Sequence, residues 1–165
     1  MAGRVPDVGI YLVDIAAEDW TQGRHALLLN QALAARHLPP YPGPPAPRRD
    51  FEEKLIPPMT EFGALCDRHG AGDILSASLI VPVDFTGLIE LPAENSFDDV
   101  TVVLSAHRLR EAVAPIAVEA GLPADLPIGP MALTNEFDDP ITFYTALFQQ
   151  AAQHSLEHHC PLTYV

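Results

Sequence analysis

The chain has 165 residues, is 48% hydrophobic and 7% aromatic, and sets nine Lys and Arg against 22 Asp and Glu, a formal net charge of −13. That length suits a single domain able to bury roughly 70% of its unfolded surface without a disulfide or metal, and the composition excludes disorder across the whole chain. The negative field argues against nucleic-acid and membrane-surface binding, because it repels phosphate backbones and anionic lipid.

Taken in chain order, Val8 to Val13 (VGIYLV) is a β-branched and aromatic run that predicts a strand. Residues 21–38 are rich in Ala, Leu, Gln and Arg and predict a helix, with Ala26, Leu29 and Leu33 on one face and Pro39-Pro40 as its stop. Six prolines then fall within residues 39–47, which predicts an extended, rigid surface loop spanning 39–49 inside the single domain. Its end, Pro44 to Arg49, fits the P-x-x-P-x-R pattern that aromatic-lined grooves read; a rigid spacer is the simpler reading. Residues 51–56 suit a short helix or strand, and a helix follows from Met59 to His69, with cations in its last turn and Gly70 just beyond.

Residues 74–81 (ILSASLIV) alternate apolar and small polar side chains, the pattern of a half-buried strand. With the turn at Asp84-Phe85-Thr86-Gly87 and the return over Leu88 to Leu91, they predict a central hairpin over 74–91. Residues 100–105 (VTVVLS) predict a third strand, and His107 to Ala120 a helix with Pro115 as a kink. Asp139-Pro140 reads as an N-cap and first helical residue. The helix that follows runs to His159 and aligns Tyr144, Leu147, Ala151, His154 and His158 along one seam, with Leu162 to Val165 as a closing strand. The expected fold is therefore α+β: a small, mainly antiparallel sheet, the hairpin 74–91 plus strand 100–105, packed by about four helices in one domain over residues 1–165.

Only two cysteines, Cys66 and Cys160, are present, too few for a disulfide framework. The first apolar stretch is broken by Asp14 and lacks the form of a signal peptide, and no run approaches the ~20 apolar residues of a membrane span. These features predict a cytoplasmic protein. One lysine against eight arginines fits a GC-rich coding genome, as in many bacteria.

The charge is uneven. Residues 1–82 carry 7 basic and 10 acidic side chains, whereas residues 83–165 carry 2 and 12, a net −10, with no Lys or Arg after Arg110. Two acidic clusters stand out: Glu90, Glu94, Asp98 and Asp99, then Glu136, Asp138 and Asp139. Solvated turn and cap carboxylates are their plain reading. As a functional surface they would receive the lysines and arginines of a basic protein.

Metal-ligand types gather on two predicted helices. Cys66-x-x-His69 and His154-x-x-x-His158 each lie on one helix face and together offer the S and N donors that zinc prefers. His154-Ser155-Leu156-Glu157-His158 also matches the H-x-x-E-H pattern of inverzincin metalloproteases. That likeness would make His154 and His158 zinc ligands and Glu157 the base. It covers those five residues, and the further acidic ligand that those enzymes take from well downstream has no counterpart before Val165. The plain reading gives the helix-end histidines to the helix dipole and Cys66 to the core. Nucleophile elbows and phosphate-binding loops are absent from the sequence.

The functional expectation is a non-enzymatic protein-binding module without a cofactor, similar in size and acidity to bacterial immunity proteins that neutralise cationic toxins. A small zinc-dependent or metal-binding protein built on the C-terminal histidine helix is the alternative, and a homo-oligomeric structural subunit is a third.

Overall fold

Apolar side chains on both faces of one central sheet organise the protein. The computed structural model describes residues 10–45, 51–55, 57–92, 100–122 and 140–165. Its elements are β1 (Tyr11–Asp14), α1 (Ala17–Gln22), α2 (His25–Ala35), β2 (Glu52–Lys54), α3 (Thr60–Arg68), α4 (Asp73–Ser76), β3 (Leu79–Val81), β4 (Leu88–Leu91), β5 (Thr101–Ser105), α5 (Ala106–Ala120), α6 (Pro140–His158) and β6 (Leu162–Tyr164).

The protein is α+β, but its sheet is six-stranded and mixed rather than small and mainly antiparallel, in the order β2-β1-β6-β3-β5-β4. β3 and β5 run parallel, and the other neighbours are antiparallel. The hairpin expected over 74–91 does not form. β5 lies between β3 and β4, pairing Leu79 with Val103 on one side and Ile89 with Val103 on the other. Residues 73–76 are a helical turn instead of strand, with Asp73 in its first turn and Ile74 buried. A stretch this short fits helical and strand periodicity equally well, so the tertiary burial of Ile74 decides.

Successive strand residues face opposite layers. Ile80, Leu104 and Leu162 join Leu109, Val113, Ile116, Phe62, Tyr144, Leu147 and Phe148 in the core beneath α3, α5 and α6. Leu79, Val81, Ile89, Leu91 and Val103 join Trp20, Leu29 and Leu33 beneath α1 and α2. Helices therefore cover both faces, and all three residues of β3 are buried. Six helices are described in place of about four, because α1 and α4 are short. The run expected as one helix over 21–38 is broken after Gln22, where Gly23 takes an extended conformation.

Helix ends are well determined. Ser105 caps α5 by accepting from the His107 N–H at 3.1 Å. At the ends of α2, α3, α5 and α6 the N–H two residues past the last turn reaches back five residues: Leu38 to Leu33, Ala71 to Cys66, Leu122 to Ala117 and Cys160 to Ser155. This is the Schellman arrangement, which requires a left-handed residue at the exit. Gly70 and Gly121 fill that position twice, and His37 (φ 61) and His159 (φ 53) fill it at α2 and α6.

The proline-rich segment is anchored through its described part, residues 39–45. The Tyr41 N–H donates to Asn30 Oδ1 at 2.8 Å, and the ring meets Trp20 edge-on at 5.6 Å. Gly43 (φ 98) passes so close to Trp20 that a Cβ there would lie 3.0 Å from the indole Cδ1. The arginine-bearing end of the P-x-x-P-x-R match lies outside the described residues.

Candidate functional site

Of the seven carboxylates expected to receive a partner, Glu90 is described. It is exposed on β4, a sheet-edge strand, opposite Val102. Glu94, Asp98, Asp99, Glu136, Asp138 and Asp139 lie outside the described residues.

The expected metal ligands fall in two places. Cys66 is fully buried in the core, and burial, with the Asp67 charge second, pushes its thiol up to about 11. Its side chain packs in the core with Phe62 and Leu65 as a small apolar group. His69 closes α3 and places Nε2 3.0 Å from Glu119 Oε1 on α5, where Arg68 also meets the same carboxylate. Those two contacts hold the Glu119 carboxyl below the usual range. Cys66 and His69 thus serve the α3–α5 side of the core, and the structure does not bring them to His154 and His158. Glu157 is exposed and accepts from Gln153 at 3.1 Å.

His154 has different company. Its Nε2 lies 2.9 Å from Asp14 Oδ2, and its ring lies 5.3 Å from Phe51 and 4.6 Å from exposed His158. Among the described residues, one group of three or more metal-ligand types meets: Asp14, His154 and Cys160, with one donor atom from each within 4.8 Å of the others. Asp14 and Cys160 are buried, at 2% and 5% exposure.

Three local structures build this group. Asp14 is the last residue of β1 and pairs with Leu162 of β6, while the Ile15 N–H continues the ladder to the Pro161 carbonyl at 2.9 Å. That pairing carries Cys160 alongside Asp14. α6 delivers His154 from its last turns, over the face of the sheet occupied by Leu12 and Phe51. Left-handed His159 then reverses the chain so that Cys160 returns under the helix end, where its carbonyl accepts from Ser155 Oγ at 2.8 Å. From the opposite layer, the Tyr41 hydroxyl donates to the His159 carbonyl at 2.6 Å. Burial, with the nearby Cys160 second, raises the Tyr41 phenol well above its ordinary value.

Chemically this is a carboxylate, an imidazole and a thiol at the junction of β1, α6 and β6. The Asp14 carboxylate and the His154 imidazole meet at hydrogen-bond distance in a largely buried setting, with the Cys160 thiol beside them. Sequence reasoning found His154, whose place on the seam before the helix ends is poorly explained by a helix-dipole role. It missed Asp14, whose only signal is a charge inside a β-branched strand, and Cys160, which carries no spacing signal towards either.

Comparison with known protein families, curated proteins and solved structures finds no match for this chain.

Proposed function

We propose that this protein is a non-enzymatic binding module for a basic protein, in the manner of an acidic inhibitor of a cationic partner. One observation carries the reading: three of the described arginines are engaged by groups of this chain itself, while six described carboxylates face solvent without an ion-pair partner among the described residues. Arg36 donates to the carbonyls of Thr86 and Leu88, Arg68 holds Glu119, and Arg108 holds Asp84 and Glu111. Glu18, Glu52, Glu61, Asp67, Asp73 and Glu90 are exposed and enter no ion pair with another described residue. With the net −10 of residues 83–165, which includes Glu90, these carboxylates support a negative field that accelerates encounter with a basic surface and weakens with salt.

The absence of nucleophile and phosphate-loop motifs is compatible with that reading, and no described helix is long and apolar enough to cross a membrane. The test is binding of the purified chain to basic proteins encoded beside its gene, measured at low and moderate salt. Tight binding whose association rate falls steeply with salt supports the proposal. No binding across those candidates, or affinity indifferent to salt, overturns it.

A further inference from the structure

We propose that Asp14, His154 and Cys160 form a site for one divalent transition-metal ion of the zinc type. The site is separate from the acidic surface and goes beyond the partner-binding reading. It also differs from the sequence expectation: of Cys66, His69, His154 and His158, only His154 belongs to the three-donor group, and Asp14 and Cys160 take the place of Cys66 and His69.

The geometry carries the inference. Three donors of three chemical kinds come from separate parts of the chain and meet with one atom of each within 4.8 Å of the others. Zinc bonds of about 2.0–2.3 Å to N, O and S in a tetrahedron place ligand atoms about 3.3–3.8 Å apart. Closing the group onto an ion therefore takes a shift of about an ångström or so at the widest pair, within the range of a side-chain rotation. The Nε2 to Oδ2 distance is already 2.9 Å. Thiolate, imidazole and carboxylate together match the borderline softness of zinc and cobalt and suit neither magnesium nor calcium.

Charge and burial point the same way. A deprotonated Cys160 and Asp14 supply two negative charges that a divalent ion neutralises in a site buried from water. On binding, the ion takes the place of the proton between Nε2 and Oδ2, and the neutral imidazole carries its proton on Nδ1 instead. Cys160 gives up its thiol proton to solvent, so uptake strengthens as pH rises. The fourth valence is left to solvent or to the imidazole of His158, whose ring lies 4.6 Å from that of His154. The surrounding frame is already built: Ser155 and Tyr41 hold the turn that carries Cys160, the kind of outer support that fixes ligand orientation.

The experiment uses the full chain after chelator treatment. Cobalt(II) is added first, then zinc. The expected result is one equivalent of cobalt with a thiolate-to-cobalt charge-transfer band, displaced by zinc. The band is lost in Cys160→Ser, retained in Cys66→Ser, and needs at least tenfold more cobalt in Asp14→Asn or His154→Gln. In the unmutated protein, which removes any question of misfolded variants, zinc should slow alkylation of Cys160 by iodoacetamide at least tenfold and leave Cys66 unchanged. Absence of the band, its persistence in Cys160→Ser, or alkylation of Cys160 indifferent to zinc overturns the site. Partner binding is measured on the metal-free protein, so failure of either proposal is distinguishable from failure of the other.

Discussion

The Tyr41 hydroxyl donates to the carbonyl of His159 across 118 positions of sequence, at 2.6 Å. One hydrogen bond thereby ties the proline-rich segment in front of one core to the helix exit that presents Cys160 at the other. Tyr41→Phe keeps the edge contact with Trp20 and removes only this bond. Leaving a part-buried carbonyl without its donor costs about 1–3 kcal/mol. Urea denaturation should report that loss, and the Cys160 thiol should alkylate faster because its turn frays.

His159 occupies a left-handed conformation in which a β-carbon is disfavoured, at φ 53. Glycine removes that steric cost while adding chain entropy to the unfolded state. His159→Gly is expected to stabilise by about 0.5–1 kcal/mol, whereas His159→Val, β-branched, should destabilise. Thermal or urea unfolding of the two variants decides the sign.

β6 joins two halves of the sheet, β2-β1 on one side and β3-β5-β4 on the other. Its Thr163 pairs with Val13 and with Leu79. Thr163→Pro removes a ladder donor from an interior strand and is expected to abolish cooperative folding. Thr163→Val loses the hydroxyl bond to the Ser78 carbonyl and should cost about 1 kcal/mol. Amide dispersion in NMR spectra and the cooperativity of urea melts distinguish the two.

His25 is held below its ordinary pKa by burial, with the Arg24 charge second, and its ring meets Thr101 Oγ1 at 3.2 Å. The folded state therefore binds a proton less readily than the unfolded state. Stability from neutral His25 is complete above the unfolded value of about 6.5 and is lost as pH falls from there towards the folded value. The stability difference between the unmutated chain and His25→Gln should shrink across that interval. A difference constant from pH 7.5 to 5 would contradict the assignment.

Cys66 titrates in the opposite sense. Its folded pKa, about 11, lies above the unfolded value, so its contribution is complete below the unfolded pKa and fades as pH rises through the folded one. At pH 8 the native thiolate fraction falls on the order of a hundredfold below that of an unperturbed thiol. A disulfide reagent should accordingly label Cys66 at that pH only after denaturant is added.

Several elements were legible from local chemistry. The β-branched runs placed β1 and β5, and the turn at Asp84 to Gly87 placed β4. The prolines and glycines bounded α3, α5 and α6, because a residue without an N–H or without a β-carbon acts on its own few neighbours. The apolar seam of α6 correctly placed Tyr144, Leu147 and Ala151 inside. Residues 74–81 misled, because two serines imitate the solvent face of a strand. In the structure, the Ser78 N–H donates to the Val102 carbonyl at 2.9 Å and its hydroxyl accepts from the Val102 N–H at 3.0 Å. Those bonds belong to the junction with β5, a partner 24 residues away.

By itself, then, the sequence determined the α+β class, the acidity and the positions where α3, α5 and α6 stop, since each follows from composition or from contacts within a turn or two. Only the tertiary structure decided the strand order, the insertion of β6 between β1 and β3, and the meeting of Asp14 with His154 and Cys160. Pairing between strands and contact between distant side chains depend on which apolar faces are buried together. Asp14 meets His154 140 positions away because Leu12, Phe51 and Leu162 bury the same face of the sheet beneath α6, a choice made by the whole core at once.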